Sequence, residues 1–103
     1  MICFLSARRL KPGAYDEFRD AWEPERWPPE AIRAYHIRDS GDENTVISFG
    51  LYEGSISDRE RIREGHGDDQ GRLERIARYV DQTLLEGVFE VVEEVDPSAA
   101  SDQ

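Results

Sequence analysis

The stretch from Thr45 to Gly54, Thr-Val-Ile-Ser-Phe-Gly-Leu-Tyr-Glu-Gly, carries apolar side chains at alternate and intervening positions alike. In an extended chain successive side chains point to opposite faces, so Ile47, Phe49 and Leu51 face one way and Val46, Ser48, Gly50 and Tyr52 the other. Such a strand belongs in the middle of a sheet that is covered on both sides. A chain of 103 residues has helices enough for one face. The second cover has to come from outside the chain, most simply from a second copy of the same sheet. The face bearing Val46, Gly50 and Tyr52 is the expected interface, because Gly50 has no side chain to hold the partner sheet away.

The length corresponds to one domain, expected over residues 1–96, with residues 97–103 as a disordered tail. The formal charge of −10, from 23 acidic and 13 basic residues, excludes a nucleic-acid partner: no basic stripe interleaved with aromatics interrupts the repulsive field. Cys3 is the only cysteine and reads as a buried thiol, with no disulfide or cysteine-based metal site. Met1 to Ala7 is apolar but far shorter than the roughly 20 residues of a membrane span, and no positive segment precedes it. A soluble, cytoplasmic protein without a membrane partner is therefore expected.

Along the chain, Ile2 to Arg9 reads as the first strand, ended by Lys11-Pro12-Gly13, with Pro12 suited to the first turn of a helix. Tyr15, Phe18 and Trp22 then form one apolar helical stripe, which Pro24 terminates. A proline-rich connection from Glu23 to Glu30 leads into a second strand, Ile32 to Arg38, and a polar turn joins this to the third, predicting an antiparallel hairpin. Ser55 with Asp58 is a partial capping box that opens a helix, broken at Gly65-His66-Gly67. Leu73, Ile76, Ala77, Val80 and Leu84 predict a long core helix from Asp69 to Leu84, closed by Gly87, and Val88 to Val95 reads as the last strand.

This order is a ferredoxin-like βαββαβ, an α+β fold with a four-stranded antiparallel sheet and helices on one side. Leu10-Lys11-Pro12-Gly13 with Tyr15, Glu17 and Phe18, the third strand ending in Leu51-Tyr52-Glu53, and the Ser-started helix followed by Gly65-His66 resemble the dimeric α/β-barrel superfamily, of the antibiotic-biosynthesis monooxygenase-like and stress-responsive barrel types. The resemblance implies a homodimer whose sheets pack face to face, with a ligand cleft between each sheet and its own helices. Haem-degrading members use a strand-borne Asn, a Trp and a helical His. The first strand here has no Asn, so haem is not implied and no cofactor is expected.

His66 is the candidate catalytic residue, since an imidazole titrating near neutral pH suits proton transfer to a phenolic or enolic molecule. With glycine on both sides and no orienting partner in the sequence, it reads first as an exposed turn residue, free of any packing role. Trp22, Trp27, Tyr35, His36 and Tyr52 are the candidate ligand-binding residues: the indoles could roof a cleft, the tyrosine hydroxyls could orient a ligand, and His36 lines either the cleft or the sheet interface. Two histidines without further ligands do not make a metal site. Ser6 and Ser48 lack a nucleophile elbow. Two readings follow: a cofactor-independent monooxygenase-like or isomerase-like enzyme acting on a small aromatic or enolic molecule, or a non-catalytic homodimeric module that binds an apolar ligand or supports an assembly. A cavity of about 300 Å³ or more with a histidine opening into it would favour the enzyme, and a filled interior the module.

Overall fold

The computed structural model describes residues 1–101. The chain runs β1 (Ile2–Leu10), α1 (Tyr15–Trp22), β2 (Ala31–Asp39), β3 (Asp42–Tyr52), α2 (Arg59–Glu64), α3 (Asp69–Ala77), β4 (Val80–Glu90) and α4 (Pro97–Ser101). Its strands form one antiparallel sheet in the order β2-β3-β1-β4, the ferredoxin-like arrangement, with β3 and β1 inside. No described helix is long and apolar enough to cross a membrane.

The register fixes which side chains share a face. Ser6 lies opposite both Ser48 and Glu86, so Phe4, Ser6, Arg8, His36, Val46, Ser48, Gly50, Tyr52 and Val88 lie on one side. This is the helix side, where Val46 is 1% and Tyr52 3% exposed. The assignment of Val46, Gly50 and Tyr52 to the outer interface is therefore corrected: the uncovered face is the opposite one. It carries Leu5, Ala7, Ile37, Ile47, Phe49, Leu51 and Leu85, and Ile37 and Leu85 are 47% and 52% exposed. A period of two groups the residues but does not say which group the helices choose.

α1 begins at Tyr15, and Pro12 lies in the turn before it instead of the first helical turn. Gly13, at φ 71°, cannot continue a right-handed helix. The helix ends at Trp22 because Glu23 precedes a proline and is driven to extended backbone, ψ 123°. Phe18 and Trp22 then pack with Leu10, Ala21, Val46 and Ile76 in one core cluster, while Ile2, Tyr52 and Ile62 form another. Burying Phe18 completely contributes roughly 2–3 kcal/mol.

Ser55 opens the second helical region as expected. Its backbone N–H donates to the Asp58 carboxylate at 2.8 Å, a 3₁₀ turn spans Ile56–Asp58, and α2 follows. Gly65 to Gly67 separate α2 from α3. The expected helix from Asp69 to Leu84 is corrected: it stops at Ala77, and Val80 to Glu90 is strand β4. Ile76, Val80 and Leu84 are spaced by four, a multiple of two as well as roughly one helical turn, so the spacing fits either structure. Gly87 is no terminator but a strand position opposite Leu5, overlain by the Phe89 ring. The last strand thus ends at Glu90, short of the expected Val95. Residues 97–101 form a short helix where a disordered tail was expected, and residues 102 and 103 lie outside the described residues.

The proline-rich connection is packed into the glycine break. A β-carbon on Gly65 would come within 2.7 Å of Pro28 Cβ, and one on Gly67, whose φ is 96°, within 2.5 Å of Glu25 Oε2. Glu25 Oε2 also accepts the Asp68 N–H at 2.9 Å. Gly67→Ala should therefore cost about 1–3 kcal/mol through strain at a positive φ and displacement of Glu25. A circular-dichroism melt should show a fall in Tm of roughly 4–8 °C per kcal/mol for a chain of this size. A wild-type Tm would show that the break tolerates a side chain.

Candidate functional site

A cavity of about 710 Å³ lies between the sheet and the helices. Phe4, Ser6 and Arg8 of β1, Ser48, Gly50 and Tyr52 of β3 and Glu86 and Val88 of β4 line it from the sheet. Trp22 of α1, Arg72, Leu73 and Ile76 of α3 and His66 from the glycine break line it from the helices. Both core clusters border it, so it is a gap held open between two packed regions.

Tyr52 and His66 meet on its wall. Tyr52 Oη is 2.7 Å from His66 Nε2, and both residues are buried, at 3% and 5% exposure. Gly50 makes this possible: a β-carbon there would lie 2.9 Å from Tyr52 Cε1 and 3.0 Å from its Oη, because the ring lies back along its own strand. His66 is held by the glycines around it. Its carbonyl accepts the Arg26 N–H at 3.2 Å, and the Trp27 ring meets the imidazole edge-on at 5.6 Å. The glycines thus admit Pro28 and Glu25 against the break and fix the histidine.

Burial sets the proton preferences of the pair. It pushes the Tyr52 phenol up to about 12, so the phenol keeps its proton throughout the physiological range. It also lowers the His66 pKa, and the positive charge of Arg72 adds to this, while hydrogen bonding to the backbone of Arg63 and Ile62 opposes it. A neutral imidazole whose N–H serves a backbone carbonyl leaves Nε2 free to accept the Tyr52 O–H. The arrangement can pass a proton: Tyr52 Oη takes one from a bound molecule as it gives its own to His66. Among the described residues, no group of three or more His, Cys, Asp or Glu side chains is placed to hold a metal.

Solved structures with the same architecture carry related names. A protein from Chloroflexus aurantiacus J-10-fl, named as an antibiotic biosynthesis monooxygenase, superposes with a TM-score of 0.70 at 11% identity over 92% of this chain and 96% of that one. One of the same name from Nitrosomonas europaea gives 0.69 at 12% identity, over 90% and 100%. An uncharacterized NIPSNAP domain protein from Burkholderia xenovorans gives 0.57 at 18%, over 93% and 100%. The chain shares their ferredoxin-like fold. No family model and no curated protein matches it.

On that fold the expected site residues separate. Tyr52, His66 and Trp22 line the cavity together. Trp27, 40% exposed, stands behind them, its ring 5.7 Å from that of Trp22. The reading of His66 as an exposed turn residue is corrected, since the connection covers it. His36 is neither on the uncovered face nor in the cavity wall: Nδ1 bonds Ser48 Oγ at 2.7 Å and its ring packs edge-on to Trp22 at 4.4 Å. Tyr35 is on the far side of the sheet, stacked on Phe49 at 5.1 Å, and cannot reach a ligand in this cavity. Arg8 and Arg72 were missed. Arg8 had a readable signal, because it continues the inward register of Ile2, Phe4 and Ser6.

Both histidines resist protonation in the fold. Burial, then Arg19, lowers His36 to about 4, and His66 is lowered as described. The unfolded chain takes up protons near the ordinary value of 6.5 while the folded one refuses them, so stability should fall as pH drops from 6.5 toward about 4. Melts across that range should show this decline, and it should flatten in a His36→Asn, His66→Asn variant. His66→Ala at neutral pH should cost about 1–3 kcal/mol for the unpaired Tyr52 hydroxyl, well above a surface substitution.

Proposed function

We propose that the protein is a small cofactor-independent enzyme of the monooxygenase kind, which removes a proton from a flat phenolic or enolic molecule bound beneath the helices. The observation that carries this is the buried Tyr52–His66 pair on the wall of a 710 Å³ cavity. Tyr52 accepts the substrate's O–H proton and relays its own to His66 Nε2, so no tyrosinate forms and the raised phenol pKa is no obstacle. The electron-rich anion left behind is the species that dioxygen attacks. For a phenol oxidised to a quinone, one oxygen atom enters as the new carbonyl, the other leaves as water, and all four electrons come from the substrate. The names of the Chloroflexus and Nitrosomonas proteins support this class of reaction.

The test is oxygen uptake with a series of naphthols and hydroxynaphthoquinols. His66→Gln and Tyr52→Phe should each lower kcat by about 100-fold or more, the usual contribution of a positioned proton acceptor. Turnover should hold through neutral pH and fall below 6.5, since His66 must be neutral and its pKa is depressed. Ligand binding with no uptake by any substrate, and no effect of either variant, would instead support a non-catalytic binding module.

The uncovered sheet face supports a homodimer. Tyr35, Ile37, Leu85 and Phe89, each 41–52% exposed, gather on it with Phe49 and Leu51, an apolar patch of the kind soluble monomers avoid. A second copy offers the same self-complementary surface. Phe49→Lys and Leu85→Lys should dissociate the dimer and lower Tm together. A folded wild-type monomer at micromolar concentration in sedimentation would refute the interface.

A further inference from the structure

One buried cation in the cavity wall makes no hydrogen bond or ion pair among the described residues. Arg8 is only 6% exposed, and its Nη1 is buried without a hydrogen-bond acceptor among the described residues. The Phe18 ring lies 5.8 Å from its guanidinium carbon, and Glu86, opposite Ser6 on the neighbouring strand, attracts it without forming an ion pair. The other cations there are engaged. Arg72 Nη1 donates to Asp69 at 3.2 Å and its Nε to the Trp22 carbonyl, while Arg63 Nη1 donates to Glu60 at 2.9 Å. Buried charges are ordinarily paired, so an unpaired guanidinium beside a cavity is a site awaiting an anion.

The cavity is also out of character with the chain. A protein of net charge −10 places Arg8, Arg59, Arg63 and Arg72 around it against Asp69 and Glu86. Asp69 pairs with Arg72, and Glu60 pairs with both Arg63 and Arg59, which leaves Arg8 as the cavity arginine without an ion pair among the described residues; one such guanidinium suits a monoanion better than a phosphate dianion. The planar donor edge of arginine matches a carboxylate.

From this we infer that the cavity binds a flat aromatic or enolic molecule bearing a carboxylate, which docks on Arg8 while its hydroxyl faces Tyr52. This rests on the proposed reading of the cavity and adds the substrate's second functional group. Arg8 is a binding residue here, and Tyr52 and His66 handle the proton.

Quenching of tryptophan fluorescence by 2-naphthoate and by its neutral isostere 2-naphthamide tests the inference at neutral pH. The wild type should bind the carboxylate about ten- to a hundredfold more tightly than the amide, as expected of a charge-assisted hydrogen bond. Arg8→Gln should abolish that preference while retaining the amide, and Arg8→Lys should restore part of it. Wild-type binding of both probes with equal affinity overturns the inference and leaves the proposed cavity reading standing. Binding of neither probe overturns both. Should Arg8→Gln fail to fold, the wild-type ratio and Arg8→Lys still decide the matter. A preference unchanged in folded Arg8→Gln, or lost entirely in folded Arg8→Lys, overturns the assignment to Arg8.

Discussion

Four strands have two faces, and this chain has helices for one. Every other feature follows from how that shortage is distributed. The helix-side face is covered by a short α1 and by a second helical region cut in two, and these do not fill the space above β1 and β3. The unfilled volume is the cavity. The opposite face carries apolar side chains from all four strands, with Tyr35, Ile37, Leu85 and Phe89 each 41–52% exposed.

The site is assembled from segments far apart in sequence. Tyr52 comes from the end of an inner strand, His66 from a break between helices and Trp27 from a connection held against that break by Pro28 and Glu25. Each contact is steric before it is chemical: the glycines give the space, the connection fills it, and the imidazole is left with one direction in which to find a partner. Burial then makes the phenol a weaker acid and the imidazole a weaker base, so both stay neutral and the hydrogen bond between them persists over a wide pH range.

Much of this was legible in the residues. The first three strands, the Tyr15, Phe18 and Trp22 stripe, the Ser55 start and the glycine break follow from local patterns, and from these came the fold class. Two things were not. The Ile76, Val80, Leu84 spacing satisfies both helical and extended periodicity, and nothing local decides between them. The choice of which sheet face receives the helices is a tertiary decision, so Tyr35 and His36, neighbours in one strand, could not be sorted between a ligand, an interface and a core. The Tyr52–His66 contact spans 14 positions across two elements and left no periodic trace, although each residue was singled out on its own.

Gly50 has a consequence for recognising relatives. With identities of 11–18%, overall sequence comparison says little about which chains of this fold share its cavity wall. The geometry says more. A tyrosine ring that lies back along its strand requires glycine two positions earlier, and a histidine seated against the connection requires small neighbours, because side chains on Gly65 or Gly67 would strike Pro28 and Glu25. Gly-Leu-Tyr at the end of the third strand and Gly-His-Gly a dozen residues on therefore form one split signature. A chain of this fold that keeps the tyrosine and histidine but carries a larger residue at the position of Gly50 will have moved the ring, and its cavity wall is a different surface.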